Sequence, residues 1–223
     1  MRLEEGLAAL KHGADLLGFV SDMPSGPGVI SLERIAEIIR QLPAASKTVL
    51  LTSAINAKAI IAQHGRVKSW GIQLVDKLDL AELHRLRVSM PGVILIQVIH
   101  VNNVSAIDMA RQYTPWVDFL LLDSGKPDAD IRTLGGTGAV HDWEISRGIC
   151  QQSSIPVLLA GGLNSDNLSA AVERVRPSGV DLCSGVRSEG MLDLEKLESF
   201  CKTLAGLSVE PLDDPKKPKT DIL

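Results

Sequence analysis

The residues best suited to chemistry fall at the ends of apolar runs. "DFLLLDS" (118–124) is greasy until it stops on Asp123. A buried strand that finishes on a carboxylate delivers a proton donor or acceptor to the end of its sheet. The plain structural alternative is a cap or salt-bridge partner in the following loop. "PVLLAGG" (156–162) runs into Gly161-Gly162-Leu163-Asn164, and "GVDLCSG" (179–185) runs into Ser184-Gly185-Val186. Glycine after a strand lets backbone N–H groups approach a ligand closely, and a following helix start favours an anion. One such turn could be a tight strand-to-helix connection and nothing more. Two in consecutive units point to a phosphate site. A fourth candidate is the polar loop with Gly135-Gly136-Thr137-Gly138, which could fold over a ligand or be an ordinary glycine-rich surface loop.

Other polar residues are weaker candidates. His100 ends the run "VILIQVIH", and Asp22 lies in the Pro/Gly loop "SDMPSGPGVIS" (21–31). Cys183 also ends a strand, although such a cysteine is more often a small core residue. Cys150 and Cys201 fall in helical patterns. His12, His64, His84 and His141 show no metal-ligand spacing, so no metal site and no cofactor is implied.

These residues must be positioned by alternating elements. The strand-like runs are 15–20, 47–53, 69–75, 92–101, 118–124, 156–162 and 179–185. Helix-like periods cover 2–12, 31–42, 56–64, 79–89, 104–113, 142–152, 164–176 and 192–204. Ser31 is a suitable helix cap and Pro43 a suitable stop. The strands are rich in Val, Ile and Leu without strict alternation, as strands buried on both faces are. Strand–helix alternation means a parallel sheet. Eight helices with seven strands, helix first, read as an α/β (β/α)8 TIM barrel without its first strand. A doubly wound open sheet is the alternative. One domain is expected over 1–207. The tail 208–223 holds three prolines, dense charge and no apolar period, and is expected to be mobile.

Composition narrows the function. With 23 basic and 27 acidic residues the net charge is −4, too mild for a nucleic-acid or membrane-surface protein. Aromatics are 3%, too few for base-stacking platforms. No apolar run approaches the roughly 20 residues of a membrane span. Three widely spaced cysteines make no disulfide framework, and a cytoplasmic location is expected. A Schiff-base aldolase would need a buried lysine at a strand end. Lys47 lies at a strand start and Lys126 in a loop.

"GADLLGFV" (13–20), "IQL" (72–74), "DFLLLDS" with "GGTGAVHDW" (118–143), "PVLLAGGLNSDNL" (156–168) and "GVDLCSGVRSEG" (179–190) occur in this order. The combination resembles the phosphoribosylanthranilate isomerase family, (β/α)8 enzymes of tryptophan biosynthesis, over nearly the whole chain. The resemblance implies an Amadori rearrangement of a phosphoribosyl-amine from aminoaldose to aminoketose. It makes Asp123 the general acid. It puts the substrate phosphate on Gly161, Gly162, Leu163 and Asn164 and on Ser184, Gly185 and Val186. It implies no cofactor, a phosphorylated small-molecule substrate, and a monomer or homodimer.

The sequence also departs from the family. The family's base is a Cys in a Lys-Ile-Cys-Gly motif on the first strand, and this chain starts after that point. None of Cys150, Cys183 or Cys201 matches it. Either the strand stands upstream of residue 1, or the chain is a degenerate homologue. The loop 21–31 lacks the family's Arg for the anthranilate carboxylate. "QLVD" puts Val75 and Asp76 where the family has His and Gly, and "LTS" (51–53) stands for its "FVN". Asp22, Asp76 and His100 are the mouth residues available to replace the base. The alternative function is a non-catalytic or repurposed phosphosugar-binding barrel.

Overall fold

The computed structural model describes residues 2–23, 28–124 and 142–207. The loop glycines 135–138, His141, Lys126 and the tail 208–223 lie outside the described residues. The elements run in chain order as α1 (Leu3–Lys11), β1 (Leu16–Val20), α2 (Leu32–Gln41), β2 (Lys47–Thr52), α3 (Ala57–Val67) and β3 (Gly71–Leu74). They continue as α4 (Leu80–Ser89), β4 (Ile94–His100), α5 (Ser105–Tyr113), β5 (Phe119–Asp123), α6 (Trp143–Gln152) and β6 (Val157–Leu159). The last are α7 (Leu168–Val175), β7 (Gly179–Val180), a 3-10 turn (Ser184–Val186), β8 (Arg187–Ser188), β9 (Met191–Leu192) and α8 (Leu194–Ala205).

Strands β1 to β7 form one sheet in strictly sequential order, and every neighbouring pair is parallel. A doubly wound sheet reverses its strand order at a switch point, so the sequential order excludes that alternative. The sheet is a curled, open barrel of seven strands with helices on its outer face. Among the described residues, β1 and β7 have no strand partner on their outer edges.

Local sequence explains where the helices start and stop. Ser31 Oγ accepts from the Arg34 amide at 3.3 Å, and Asn56 Oδ1 accepts from the Ala59 amide at 2.9 Å. Asp142 and Asp193 cap α6 and α8 in the same way. Each cap satisfies an amide that the first helical turn leaves unpaired.

The apolar strand residues split into two sets by alternation. Val49, Val75, Ile94, Ile96, Val98, Phe119, Leu121, Leu158 and Ala160 pack together inside the barrel. Leu95, Ile99, Leu120, Leu122 and Leu159 pack outward against the helices. Each fully buried aliphatic side chain contributes about 1.5–3 kcal/mol, so both layers favour this one strand register.

The chain's two ends meet in the helical layer. Glu5 of α1 accepts from the Leu192 amide at 3.0 Å and pairs with Arg187 at 3.1 Å. Burial opposes the Glu5 charge. The amides of Arg2 and Leu192 and the Arg187 guanidinium outweigh it and hold the carboxyl below its ordinary value. This contact ties α1 to the hairpin β8–β9. That hairpin turns through Glu189 and Gly190, both at positive φ (51° and 79°), the two-residue geometry that matches strand twist.

Three expectations need correction. The run 179–185 is strand only over Gly179–Val180 before it turns. Helix α7 starts at Leu168, not at residue 164. The hairpin 187–192 was read as a loop. In the first case Gly185 approaches its neighbour too closely for a strand to continue. In the second, Asn side chains take the hydrogen bonds that a helix would use.

Candidate active site at the barrel mouth

Register places four residues on one rung at the C-terminal end of the sheet. His100 pairs with Asp123 across β4–β5. Leu122 pairs with Leu159, and the Ala160 amide donates to Leu122 O at 2.8 Å, which extends that ladder by one residue. Leu159 pairs with Val180, and the Asp181 amide donates to Leu159 O at 2.8 Å. In parallel strands, residues in register share a face. Ala160 packs inside the barrel. His100, Asp123 and Asp181 therefore face the lumen with it, above the apolar layer of Val98, Leu121 and Leu158.

Asp123 is buried at 8% exposure, and one carboxylate oxygen accepts from the Ser124 amide at 2.7 Å. Its carbonyl accepts from the Val101 amide at 2.9 Å. The strand's last residue is thus held from both sides. Asp181 lies two strands away, with only the methyl of Ala160 between them. Its carboxyl reaches solvent, but inside a concave mouth ringed by protein. Such narrow water solvates charge poorly. Removal from bulk water, then the charge of Asp123, push the Asp181 carboxyl up to about 6.

The two glycine turns stack directly beside this rung. Gly161 and Gly162 take φ of 86° and 64°, which L side chains rarely adopt. A Cβ on Gly185 would stand 1.9 Å from the Leu163 carbonyl oxygen. Only glycine permits the turn after β7 to lie backbone to backbone on the turn after β6. Leu163 and Val186 are buried and anchor the two turns. Asn167 Oδ1 accepts from the Asn164 amide at 2.9 Å, and Asn167 Nδ2 donates to Gly162 O at 2.9 Å. Asn164 Oδ1 in turn accepts from the amides of Asp166 and Asn167. The Asn164 amide is thereby engaged within the turn. Among the described residues, no hydrogen bond engages the amides of Gly161, Gly162 or Leu163.

The other mouth candidates divide. Asp76 and His100 line one cavity of about 300 Å³ with Lys77, Gln97 and Tyr113, and Asp22 does not border it. Asp76 Oδ1 accepts from the Lys77 amide at 2.9 Å. His100 Nε2 sits 3.0 Å from the Val75 carbonyl, which makes Nε2 the protonated nitrogen. Its Nδ1 is buried without a partner among the described residues. Asp22 is exposed, and its carbonyl accepts from Ser53 Oγ at 3.1 Å.

Cys183 is exposed just beyond β7. Cys150 is in α6, where burial pushes its thiol up to about 12, and burial also raises that of Cys201. His12 and His64 bond the carbonyls of Ala8 and Ser69 and do not approach the mouth rung. Sequence reading missed Asp181, Ala160 and Asn167. Inward alternation from Gly179 through Asp181 was the one available signal for Asp181.

A sequential parallel barrel with paired glycine turns at the ends of its last two strands belongs to the phosphate-handling (β/α)-barrel enzymes. Residues 2–203 match the family model described as N-(5'phosphoribosyl)anthranilate (PRA) isomerase, and the chain belongs to that family. A relative from Methanocella arvoryzae, the N-(5'-phosphoribosyl)anthranilate isomerase, is 33% identical over 186 residues, covering 83% of this chain and 85% of that protein. The crystal structure of phosphoribosyl anthranilate isomerase from Thermotoga maritima superposes with a TM-score of 0.79 at 27% identity, covering 93% of this chain and 96% of that one. A phosphoribosyl anthranilate isomerase in complex with reduced 1-(o-carboxyphenylamino)-1-deoxyribulose 5-phosphate gives a TM-score of 0.76 at 25% identity, covering 92% and 95%. No helix among the described residues is long and apolar enough to cross a membrane.

Proposed function

We propose that this chain isomerises a phosphoribosyl-amine of the phosphoribosylanthranilate type in tryptophan biosynthesis, and that the barrel mouth described above is its active site. One observation carries the reading. A buried strand-terminal carboxylate, Asp123, shares its end of the barrel with two stacked glycine turns whose amides at Gly161, Gly162 and Leu163 point to an anion. An aminosugar phosphate needs both features, an acid at its ring and a cradle at its phosphate.

The chemistry follows from that placement. Asp123 protonates the furanose ring oxygen, the C–O bond breaks, and an iminium forms between C1 and the amine. Loss of the proton at C2 gives the enolamine, which tautomerises to the aminoketose. The phosphate stays on the turns at Gly161–Asn164 and Ser184–Val186, held by backbone N–H groups. The loop Gly135-Gly136-Thr137-Gly138 lies beyond the described residues; its role here is to cover the bound sugar. Asp76 and His100 shape the wall of the mouth on the β3–β4 side, and Asp22 borders the β1 loop. The protein works in the cytoplasm as a monomer or homodimer, without a cofactor.

A fluorescence assay of phosphoribosylanthranilate consumption tests this reading. Turnover, with melting raised by inorganic phosphate, is the expected result. A phosphate-dependent rise in melting without turnover would instead favour a repurposed phosphosugar-binding barrel. The departures in loop 21–31 and at Val75 and Asp76 leave that second reading its footing.

A further inference from the structure

The isomerisation needs a proton acceptor at C2 as well as a donor at the ring oxygen. The three mouth residues suggested by sequence serve poorly. Asp22 is an exposed loop residue outside the rung. Asp76 is tied to the Lys77 amide and lines the cavity beside Gln97, whose side chain lies outside the lumen layer. His100 points its protonated Nε2 at the Val75 carbonyl, and its basic Nδ1 is buried.

Asp181 has what these lack. It stands on the same inward rung as Asp123, reaches solvent in the mouth, and is two residues before the start of the second glycine turn. Neighbouring strands lie about 4.8 Å apart, so two strands separate the two α-carbons by roughly 10 Å, and lumen-facing side chains converge from there. Ala160 leaves the space between them open. We propose that Asp181 is a second acid–base residue of this site, accepting the proton that leaves C2 while Asp123 donates one to the ring oxygen. This rests on the isomerase reading given above.

The protons balance. Asp123 ends the first half-reaction ionised and Asp181 ends it protonated. The enolamine tautomerises by moving a proton from its C2 hydroxyl to C1, with no net gain. Transfer from Asp181 back to Asp123, directly or through mouth water, resets the pair. The charged neighbour acting on Asp181 is Asp123. Ala160 offers no titrating group, and His100 lies one strand beyond Asp123. Like charges at a shared site separate the affinities of two carboxylates for protons. A base poised near 6 suits proton abstraction near neutrality.

The test combines activity with a direct titration. Asp181→Asn should lower kcat at least about 100-fold with KM little changed, and abolish the acidic limb near pH 6 in kcat/KM. Asp181→Glu should restore part of the rate. Carbon-detected NMR of the carboxyls should show the Asp181 midpoint fall in Asp123→Asn, whether or not substrate turns over. An Asp181→Asn protein as active as wild type overturns the proton-acceptor role alone. An unmoved Asp181 midpoint overturns the pairing. A wild-type chain that binds phosphate but never turns over overturns the isomerase reading and the acceptor role with it, while the titration still reports on the pair.

Discussion

The two sides of the barrel mouth end their strands differently. On the β1–β3 side the polar groups are satisfied within the protein. Ser21 Oγ donates to Leu51 O at 2.6 Å, Thr52 Oγ1 to Gln63 at 2.6 Å, and Ser53 Oγ to Asp22 O at 3.1 Å. On the β5–β7 side, Asp181 faces mouth water and the amides of Gly161, Gly162 and Leu163 have no partner among the described residues. Buried polar groups that find partners hold a fold together. Polar groups left open at a concave mouth await a ligand. The first side is scaffold and the second is site, although both rest on the same strand–helix unit.

Substitutions can sharpen or break that contrast. Gly185→Ala should have the largest effect. Its Cβ would meet the Leu163 carbonyl at 1.9 Å, so one of the two turns must move. We expect a loss of about 3 kcal/mol in urea unfolding and no phosphate-dependent rise in melting temperature. A variant as stable and as phosphate-responsive as wild type would contradict the stacked turns. Asn167→Ala comes next. It removes the bonds to the Asn164 amide and the Gly162 carbonyl. The expected cost is about 1–2 kcal/mol, with KM raised more than kcat is lowered. An unchanged KM would show that this turn does not hold the substrate.

On the scaffold side, Gly65→Ala should stabilise the protein by up to about 1 kcal/mol. A Cβ there meets nothing within 4 Å, and the residue lies inside α3. Activity should not change, and a fall in kcat would blur the division between the two sides. The smallest effect concerns pH. The folded state raises the Asp181 carboxyl to about 6 from 3.8, so it binds that proton more tightly than the unfolded chain does. Wild type therefore loses stability as pH climbs from about 4 to about 6. Asp181→Asn should melt slightly higher than wild type at pH 7, with the gain shrinking below pH 4. An equal or lower melting temperature at pH 7 would show that the ionised carboxylate is well accommodated.

What the sequence revealed followed from local rules. Element order, the Ser31 cap, Asp123 at a strand end and both glycine turns each depend on a few adjacent residues. What it hid depends on pairing across the fold. Asp181 becomes a partner of Asp123 only once two register relations through Ala160 are known. The Glu5 bridge to Arg187 and Leu192 joins residues from opposite ends of the chain. The late start of α7 is set by Asn164 and Asn167 bonding the turn between them, a competition that helical periodicity does not register. The hairpin 187–192 turns on Glu-Gly, a weaker signal than Asn-Gly or Asp-Gly.

The most direct test of the central claim is the turnover of phosphoribosylanthranilate by Asp123→Asn beside wild type, followed by fluorescence. The account predicts that wild type consumes the substrate and that the variant loses at least about 100-fold in kcat while inorganic phosphate still raises its melting temperature. Equal turnover by the two proteins would contradict it, since the carboxylate held at the end of β5 would then not be the acid.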